Sequence, residues 1–465
     1  MKKTINLLLI LVISIFFLSA CEEEYIIPED VNTVNIFTMN DTHGAFVTDE
    51  YPGMEKVSMT IKGMESEYGR FLRIANGDIF QGSYVSNVNH GKPLVEAMNY
   101  LNFDAFVIGN HEFDWGIEKI AQYKDGNPSN GEADFPFLAA NIVYKESGEK
   151  LSWTDDYVVV ENNGYKVGII GVIGHNLEDS IASEMVADYE FLHPREIVEE
   201  LASELRIDNE CDVVVVATHN YNDWEINDYL GLPDESRIDA IITGHTHRKI
   251  SAKQLRNDGF SVPIIQCDDK NETVGAVIIE MDAENNPVSS TIRHYNPNDY
   301  PVDRKMKELI DKYSADINEG NRVIGYTTEK LSEGRIGREM VQAMFEKYDV
   351  SFAFINTGGV REELKTGNIR IKDIFEVFPF DNRIILTTIS GYQLSRLISA
   401  QSSFLYSYPR FEMLNIETGK TYQIVTIDYV FTGSYYTSYF KDSPREDKEL
   451  MRDLFIEYIE DFYKK

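Results

Sequence analysis

A short polar cluster, Gly109-Asn110-His111-Glu112-Phe113-Asp114, follows the apolar stretch Phe106-Val107-Ile108. An amide, an imidazole and two carboxylates at the end of a buried strand need partners, because each unpaired buried polar atom costs free energy. Metal ions are the simplest such partners. An ordinary strand-to-helix corner, with a capping Asn and a solvated His, would have the same local sequence. The two interpretations differ in whether other strands bring matching ligands to the same place.

Four other apolar runs also end in polar clusters. Each cluster alone is equally typical of a turn, but together they point to one site, because ligands bind beyond the carboxyl ends of strands in open α/β sheets. Histidines with carboxylates and an amide suit borderline or hard divalent metals rather than thiolate chemistry. In chain order the clusters are Asp41-Thr42-His43-Gly44 after 34–39, Gly77-Asp78 with Gln81-Gly82 after 71–75, Thr218-His219 after 211–217, and Gly244-His245-Thr246-His247 after 238–243.

Length and composition limit the class of protein. The 465 residues suffice for two sizeable domains, and a hydrophobic fraction of 43% is that of a globular protein. The formal net charge of −33 disfavours charge-driven binding to nucleic-acid polymers or to an anionic membrane surface. An anionic substrate would need a local positive site, which bound divalent cations supply.

The amino terminus has the pattern of a secretory signal. Lys2 and Lys3 precede the apolar run 5–18, and Leu18-Ser19-Ala20-Cys21 follows. A basic start, a short apolar core and small residues are typical of a cleaved signal rather than of a spanning helix. The ending resembles a bacterial lipobox, which implies cleavage before Cys21, lipidation of its thiol, and an extracytoplasmic protein anchored to the cell membrane. An ordinary signal peptide with a chance cysteine is the alternative.

These patterns predict a domain order. It consists of a signal peptide (1–20), a solvated tether (21–32), a first domain (33–300), a linker helix (301–321) and a second domain (322–465). The linker helix is predicted from apolar residues that recur at helical spacing, and its alternative is a surface helix of the first domain. Those residues are Val302, Met306, Leu309, Ile310, Tyr313 and Ile317.

The second domain contains further polar corners. A strand predicted at 350–355 leads to Asn356-Thr357-Gly358-Gly359-Val360-Arg361, where the Arg361 guanidinium could fork onto phosphate. A Gly-Gly turn beside a surface arginine is the alternative. A strand at 422–428 leads to Tyr429 and the turn Gly433-Ser434-Tyr435. A final helix is predicted to begin at Ser443, with Pro444 in its first turn. Cys211 and Cys267 are predicted to be buried thiols.

Together these motifs resemble those of calcineurin-like metallophosphoesterases, and the full set is similar to the bacterial 5′-nucleotidase family. The five strand-end clusters occur in that family's order, and the resemblance covers most of the mature chain. It extends into the second domain through Gly367-Asn368-Ile369, Val377-Phe378-Pro379-Phe380-Asp381-Asn382 and Ile389-Ser390-Gly391. The resemblance implies an α/β fold, a four-layer sandwich with two mixed sheets, joined by the linker helix to a smaller α/β substrate-binding domain.

The resemblance also implies a centre of two divalent metal ions, which could be Mn, Zn, Mg, Co or Ca. Asp78 would bridge the two ions. The other ligands would be Asp41, His43 and His247 for one ion, and Asn110, His219 and His245 for the second. His111, oriented by Asp114, would stabilise the charge that develops at phosphorus or assist the leaving oxygen. Glu112 receives no role beyond local hydrogen bonding.

The resemblance further implies that Phe380 stacks on a nucleobase, for which core packing is the alternative. The other implied substrate contacts are Asn356, Arg361, Asn382 and Tyr429. The chain departs from the family's pattern in two places. Thr218-His219-Asn220-Tyr221 stands where Ser-His-Leu-Gly is common, and Ser434-Tyr435 replaces a Gly-Asp pair whose acid accepts from the ribose hydroxyls.

We therefore expect a monomeric, two-metal phosphoesterase that acts on nucleotides, as a 5′-nucleotidase that releases phosphate from nucleoside monophosphates by attack of metal-activated water. A 2′,3′-cyclic-nucleotide phosphodiesterase and a nucleotide-sugar or dinucleotide hydrolase are the alternatives within this class. A non-catalytic surface-binding lipoprotein is the alternative outside it. The intact set of candidate ligands argues against that last interpretation, because decay would strike the ligands first.

Overall fold

A computed structural model describes residues 27–28, 31–411 and 415–464 of the chain. The expected signal peptide and Cys21 lie outside these residues. Within the part of the chain that is described, no helix has both the length and the apolar character needed to cross a membrane. Cys211 and Cys267 are buried free thiols, as predicted.

The first part of the chain alternates strands and helices. Its strands are β1 (Thr33–Met39), β2 (Leu72–Asn76), β3 (Ala105–Val107), β4 (Phe137–Leu138), β5 (Ile142–Tyr144), β6 (Tyr157–Asn162), β7 (Tyr165–Ile173), β8 (Tyr189–Phe191), β9 (Val213–His219), β10 (Ala240–Ile242), β11 (Ile250–Leu255), β12 (Ser261–Gln266), β13 (Val274–Met281) and β14 (Pro287–Tyr295). Its helices are α1 (Met54–Tyr68), α2 (Tyr84–Val88), α3 (Lys92–Tyr100), α4 (Glu118–Ala121), α5 (Pro194–Ile207), α6 (Asp223–Leu230), α7 (Arg304–Asp311) and α8 (Ser314–Gly320).

Two six-stranded mixed sheets form the core of this part, in the orders β14-β13-β1-β2-β3-β4 and β11-β12-β10-β9-β7-β6. In the first sheet β1 to β4 run parallel, and in the second β7, β9, β10 and β12 run parallel. Strand β9 shows why the sheets stack: its sequence Val-Val-Val-Val-Ala-Thr-His is buried at every position. A strand that is apolar on both faces must be covered on both faces.

The two sheets cover each other, and helices cover their outer faces. Side chains of β1, β2 and β3 form one apolar cluster with side chains of β7, β9 and β10, and this cluster continues onto α5 and α6. Helices α1, α3 and α7 pack on the opposite face of the first sheet in a second cluster. The order helix, sheet, sheet, helix confirms the predicted four-layer α/β sandwich.

The second part of the chain is smaller. Its strands are β15 (Val323–Thr327), β16 (Phe352–Asn356), β17 (Gly367–Arg370), β18 (Arg383–Ser390), β19 (Leu405–Tyr408), β20 (Thr421–Ile427) and β21 (Glu446–Leu450). Its helices are α9 (Glu333–Tyr348), α10 (Ile371–Val377), α11 (Gly391–Gln401), α12 (Asp428–Thr432) and α13 (Met451–Phe462). Five of the strands form a sheet in the order β19-β16-β20-β18-β21, with its own apolar core.

Two elements differ from the predictions. The single linker helix expected over 301–321 is two helices, α7 and α8, with Tyr313 between them. The ring of Tyr313 packs edge-on against Phe46, so this stretch lies on the second cluster, together with α1, α3 and α7. The helix predicted to begin at Ser443 begins at Met451 instead, because residues 446–450 pair with β18 as an edge strand.

The two parts are in contact beside the predicted site. The Tyr84 and Phe375 rings meet edge to face with centroids 4.8 Å apart, which joins α2 to α10. Nearby, the Asn87 side-chain amide donates to the Pro379 carbonyl over 3.0 Å. These contacts place the loop that carries Phe380 next to the strand ends of the first part.

Candidate active site

The five polar strand-end clusters meet at one edge of the sandwich. They follow β1, β2 and β3, which are parallel neighbours in the first sheet, and β9 and β10, which are parallel neighbours in the second. Parallel neighbours end at the same edge of a sheet, so their following loops converge. The convergence expected from the sequence is therefore present.

Asp41, His43 and His247 form the first of two groups with the spacing of metal ligands, because one nitrogen or oxygen atom from each lies within 4.8 Å of the others. His43 Nε2 and His247 Nε2 are 2.9 Å apart, and His247 Nε2 is 3.4 Å from Asp41 Oδ1. Asp269 Oδ2 lies 3.5 Å from the other nitrogen of the His247 ring, where a carboxylate orients the imidazole.

Asp78, His219 and His245 form the second group. His219 Nε2 lies 3.0 Å from Asp78 Oδ2, while its Nδ1 donates to the Asn76 carbonyl over 2.8 Å. That bond leaves Nε2 as the ligating nitrogen. Asn110 Oδ1 lies 2.9 Å from His245 Nδ1, so the amide also belongs to this group.

The backbone of this site is strained. Asp41, His43, Asp78, His245 and His247 all have positive φ, between 46° and 72°. Residues other than glycine adopt this region at a cost, and such residues cluster at functional sites. Neighbouring glycines permit the close approach: a Cβ atom on Gly77 would lie 2.1 Å from His219 Nδ1.

The donor atoms fit divalent cations. Asp78 Oδ2 and His219 Nε2 are buried, and apart from their 3.0 Å contact with each other neither has a hydrogen-bond partner among the described residues. Burial lowers the pKa of His245 and His247 to about 4, and burial beside His247 lowers that of His43. These rings are therefore neutral at pH 7, and the neutral imidazole is the form that ligates metal. Nitrogen and oxygen donors without thiolates match the predicted two-metal centre.

His219 and Asp78 behave as a charged pair. Burial opposes protonation of His219, but the Asp78 carboxylate outweighs it and raises the pKa of His219 to about 10. Burial likewise opposes the Asp78 anion, yet His219 and His111 hold the pKa of Asp78 well below its usual range. A metal ion held by His219 would take the place of this proton, because a ligating imidazole must be neutral.

His111 lies beside both groups but faces the cleft. Its Nδ1 is 2.8 Å from Asp114 Oδ2, and its backbone amide donates to Asp78 Oδ1 over 2.8 Å. Burial opposes protonation, but Asp114 and Asp78 outweigh it and raise the pKa of His111 to about 9. The ring stacks on Phe380 with centroids 5.6 Å apart. A charged imidazole held in this way can stabilise negative charge or donate a proton.

Glu112, for which the sequence predicted only local hydrogen bonding, supports the loop of Asp78. Its side chain is fully buried and accepts from four backbone amides, those of Gly109, Asp78, Ile79 and Phe80, over 2.8–3.4 Å. These bonds tie the loop after β2 to the loop after β3. The sequence offers one sign of such a supporting residue: an acid that lies in a strand-end cluster but is not itself a ligand.

A cleft of about 830 Å³ runs from the metal groups into the second part of the chain. His111, His245 and His247 line one region of it. The Asn356 Oδ1 atom, at the wall of the cleft, is buried and receives no hydrogen bond from the described residues. The Arg361 guanidinium lies 5.9 Å from the centroid of the Phe380 ring. All five predicted substrate contacts line this cleft: Asn356, Arg361, Phe380, Asn382 and Tyr429.

One wall of the cleft was not predicted. The segment 176–185, between β7 and β8, supplies Asn176, Asp179, Ser180, Ala182 and Met185 to the lining. Ser434 Oγ donates to Asp179 Oδ1 over 3.0 Å, and Arg445 pairs with Glu184. The segment thus touches the second part of the chain. It has no apolar periodicity and no ligand motif, so the sequence contains no signal that would have identified it.

A sandwich of two mixed sheets that gathers two His–carboxylate groups at its strand ends, with a charged histidine beside them, defines a metallophosphoesterase. The chain is accordingly a metal-dependent phosphoester hydrolase. The comparisons with known proteins agree with this class.

Two family models match the chain: calcineurin-like phosphoesterase over residues 34–249, and 5′-nucleotidase, C-terminal domain, over residues 314–413. Together the matches span more than half of the chain. The protein belongs to the two-domain 5′-nucleotidase family of metallophosphoesterases.

Among its relatives, a 5′-nucleotidase of Vibrio vulnificus is 25% identical over 423 residues, which are 78% of this chain and 74% of that protein. Endonuclease YhcR of Bacillus subtilis is 26% identical over 470 residues, but the match covers 89% of this chain and only 37% of that protein. The crystal structure of a 5′-nucleotidase precursor from Thermus thermophilus superposes with a TM-score of 0.77 at 20% identity, covering 93% of this chain and 97% of that one.

Proposed function

We propose that the protein is a 5′-nucleotidase that hydrolyses nucleoside monophosphates to nucleosides and phosphate. One observation carries the proposal: a single cleft joins both metal-binding groups to the aromatic side chains of Phe380 and Tyr429. A phosphate and a nucleobase need these two environments in one site. The family membership and the 5′-nucleotidase relatives support the same substrate class.

Two divalent cations would be held by Asp41, His43, Asp78, Asn110, His219, His245 and His247. Such a pair lowers the pKa of water and stabilises the oxygens of a phosphoryl group during in-line displacement. His111, held by Asp114, supplies a positive ring to the phosphoryl or leaving oxygen. Arg361 binds the phosphate through its planar guanidinium.

The remaining cleft residues bind the nucleoside. Phe380 and Tyr429 present aromatic faces to a base, since stacking accepts any base. The Asn356 and Asn382 side chains provide polar contacts in the same cleft. The first domain (33–300), the linker (301–321) and the second domain (322–465) would thus divide the work between hydrolysis and substrate binding.

The cellular setting is part of the proposal. The signal pattern and Cys21 support an enzyme outside the cytoplasm, anchored to the membrane by lipid. There it would act on small nucleotides. We expect this enzyme to be a monomer. The net charge of −33 disfavours a polymeric nucleic acid as substrate, although one relative is an endonuclease.

A substrate panel tests the proposal. Purified protein loaded with Mn²⁺ should release phosphate from nucleoside 5′-monophosphates faster than from 2′,3′-cyclic nucleotides, nucleotide sugars or dinucleotides. Faster turnover of one of those three would replace the 5′-nucleotidase assignment with the corresponding activity. No turnover of any nucleotide by metal-loaded protein would contradict nucleotide hydrolysis altogether.

A further inference from the structure

The Asp179 carboxylate lines the cleft but belongs neither to the two metal-binding groups nor to the pair of His111 and Asp114. It lies in the 3-10 turn Leu177–Ser180 of the unpredicted wall and lines the cleft with Tyr429 and Tyr435. Its Oδ1 atom accepts from Ser434 Oγ over 3.0 Å. Its Oδ2 atom accepts no hydrogen bond from the residues that the structure describes, and the side chain is exposed. It is therefore a fixed carboxylate with a free acceptor atom.

The other carboxylates that line this cleft are engaged. Asp114 is bound to His111, and Asp381 pairs with Arg452. Asp428 uses one oxygen for the backbone amide of Arg383 and the other for that of Tyr429, over 2.9 and 2.8 Å. Among the described acids of the cleft, Asp179 is the one whose carboxylate is bound by neither a charged side chain nor the backbone.

The Ser434 contact holds Asp179 at a set place relative to Tyr429. Ser434 follows Gly433, whose amide donates to the Tyr429 carbonyl over 2.9 Å. A Cβ atom on Gly433 would lie 2.4 Å from that same carbonyl oxygen, so the turn is closely packed against Tyr429. The aromatic face and the acid are thus connected through one tight turn.

We propose that Asp179 accepts hydrogen bonds from the 2′- and 3′-hydroxyls of a ribonucleotide and makes the enzyme selective for ribose over deoxyribose. The sugar of a nucleotide lies between its phosphate and its base. The cleft has a phosphate region at His245 and His247 and an aromatic region at Tyr429. A vicinal diol donates two hydrogen bonds, and a carboxylate accepts them with charge assistance. The proposal rests on the proposed nucleotide hydrolysis.

The test compares kcat/KM for adenosine 5′-monophosphate with kcat/KM for its 2′,3′-dideoxy analogue in wild-type protein and in Asp179→Asn. Hydrogen bonds to a charged group contribute enough that we expect the ratio to fall about 10- to 100-fold in the variant. Ser434→Ala should lower the ratio by a smaller factor, since it frees the carboxylate without removing it. Glu184→Gln is the matched control, because Glu184 belongs to the same segment and pairs with Arg445 outside the cleft lining.

Each outcome is decisive. If Asp179→Asn leaves the ratio of the two kcat/KM values unchanged, including by an equal loss on both substrates, the assignment of Asp179 is overturned while nucleotide hydrolysis stands. A comparable fall in Glu184→Gln also overturns it, because the effect would then belong to the segment. If wild-type protein turns over a small aryl phosphate but no nucleotide, the proposed function and this inference fail together. Thermal unfolding of each variant shows whether a loss reflects misfolding.

Discussion

The imidazole of His111 and the phenyl ring of Phe380 stack across the boundary between the two parts of the protein, with their planes inclined by 25°. His111 follows β3, whereas Phe380 lies between α10 and β18. The residue beside the metal groups and the proposed base contact thus touch each other directly. A nucleobase that stacks on Phe380 uses the face turned away from His111 or separates the two rings.

Replacement of Phe380 tests the base contact. Phe380→Ala removes one aromatic face, so KM for nucleoside monophosphates should rise roughly tenfold or more, since stacking contributes about 1–3 kcal/mol per base. KM for a small aryl phosphate should rise far less. Phe404→Ala, at a side chain exposed on the surface, is the control. Equal increases for both substrates would show that the second domain does not bind the base.

His111→Asn separates catalysis from metal binding. The variant retains both ligand groups but lacks the charged ring, so kcat should fall about 10²- to 10⁴-fold, the range typical of a general acid or base. Metal content, measured by elemental analysis of dialysed protein, should equal that of the wild type. Loss of metal would identify His111 as a ligand rather than as the catalytic group.

Glu112→Gln tests the support of the Asp78 loop. In the wild type, carboxylate oxygens accept from backbone N–H groups. In the variant, a side-chain NH₂ group would replace one of these oxygens and face the same donors, which should lower the free energy of unfolding by about 1–3 kcal/mol. Metal affinity should fall as well, because the loop positions Asp78. Thermal unfolding and metal titration measure the two effects. Glu146→Gln, on an exposed loop, should change neither. Wild-type stability and affinity in Glu112→Gln would contradict the supporting role.

Chelation should abolish activity and lower stability together. Removal of the ions leaves Asp78 and His219 as a buried pair and exposes the strained loops to local unfolding. A ligand that binds only the folded state stabilises it by about 2.7 kcal/mol at 100 times its Kd. The melting temperature of chelated protein should therefore rise on addition of Mn²⁺, with activity returning over the same concentration range. Full activity in excess chelator would contradict the metal requirement.

The metal-binding groups were predictable because their signal is local. Each ligand follows an apolar run that forms a strand. Parallel strands bring their carboxyl ends together regardless of the conformation of the loops. The pairing of Asp78 with His219, by contrast, depends on how two sheets stack, and only the family resemblance placed them on one ion. Glu112 shows the limit of residue type alone: an acid among ligands can bind backbone amides instead of metal.

Structural elements that depend on contacts with residues far away in the sequence were not predictable. Residues 443–446 have the sequence of a helix start, yet the open edge of β18 offers ladder hydrogen bonds to residues 446–450 and delays the helix to Met451. Asp179 lines the cleft and binds Ser434, which lies 255 positions away in the chain. Such long-range contacts leave no periodic pattern in the sequence from which they could be predicted.

The left-handed backbone at Asp41, His43, Asp78, His245 and His247 has an evolutionary consequence. Each such residue costs about 1–3 kcal/mol that the surrounding fold must offset, and glycine would remove much of that cost. A library selected only for heat resistance in the absence of divalent cations should therefore enrich glycine codons at His43 and His247. Heat resistance and turnover thus exert opposing selective pressures on the same few codons.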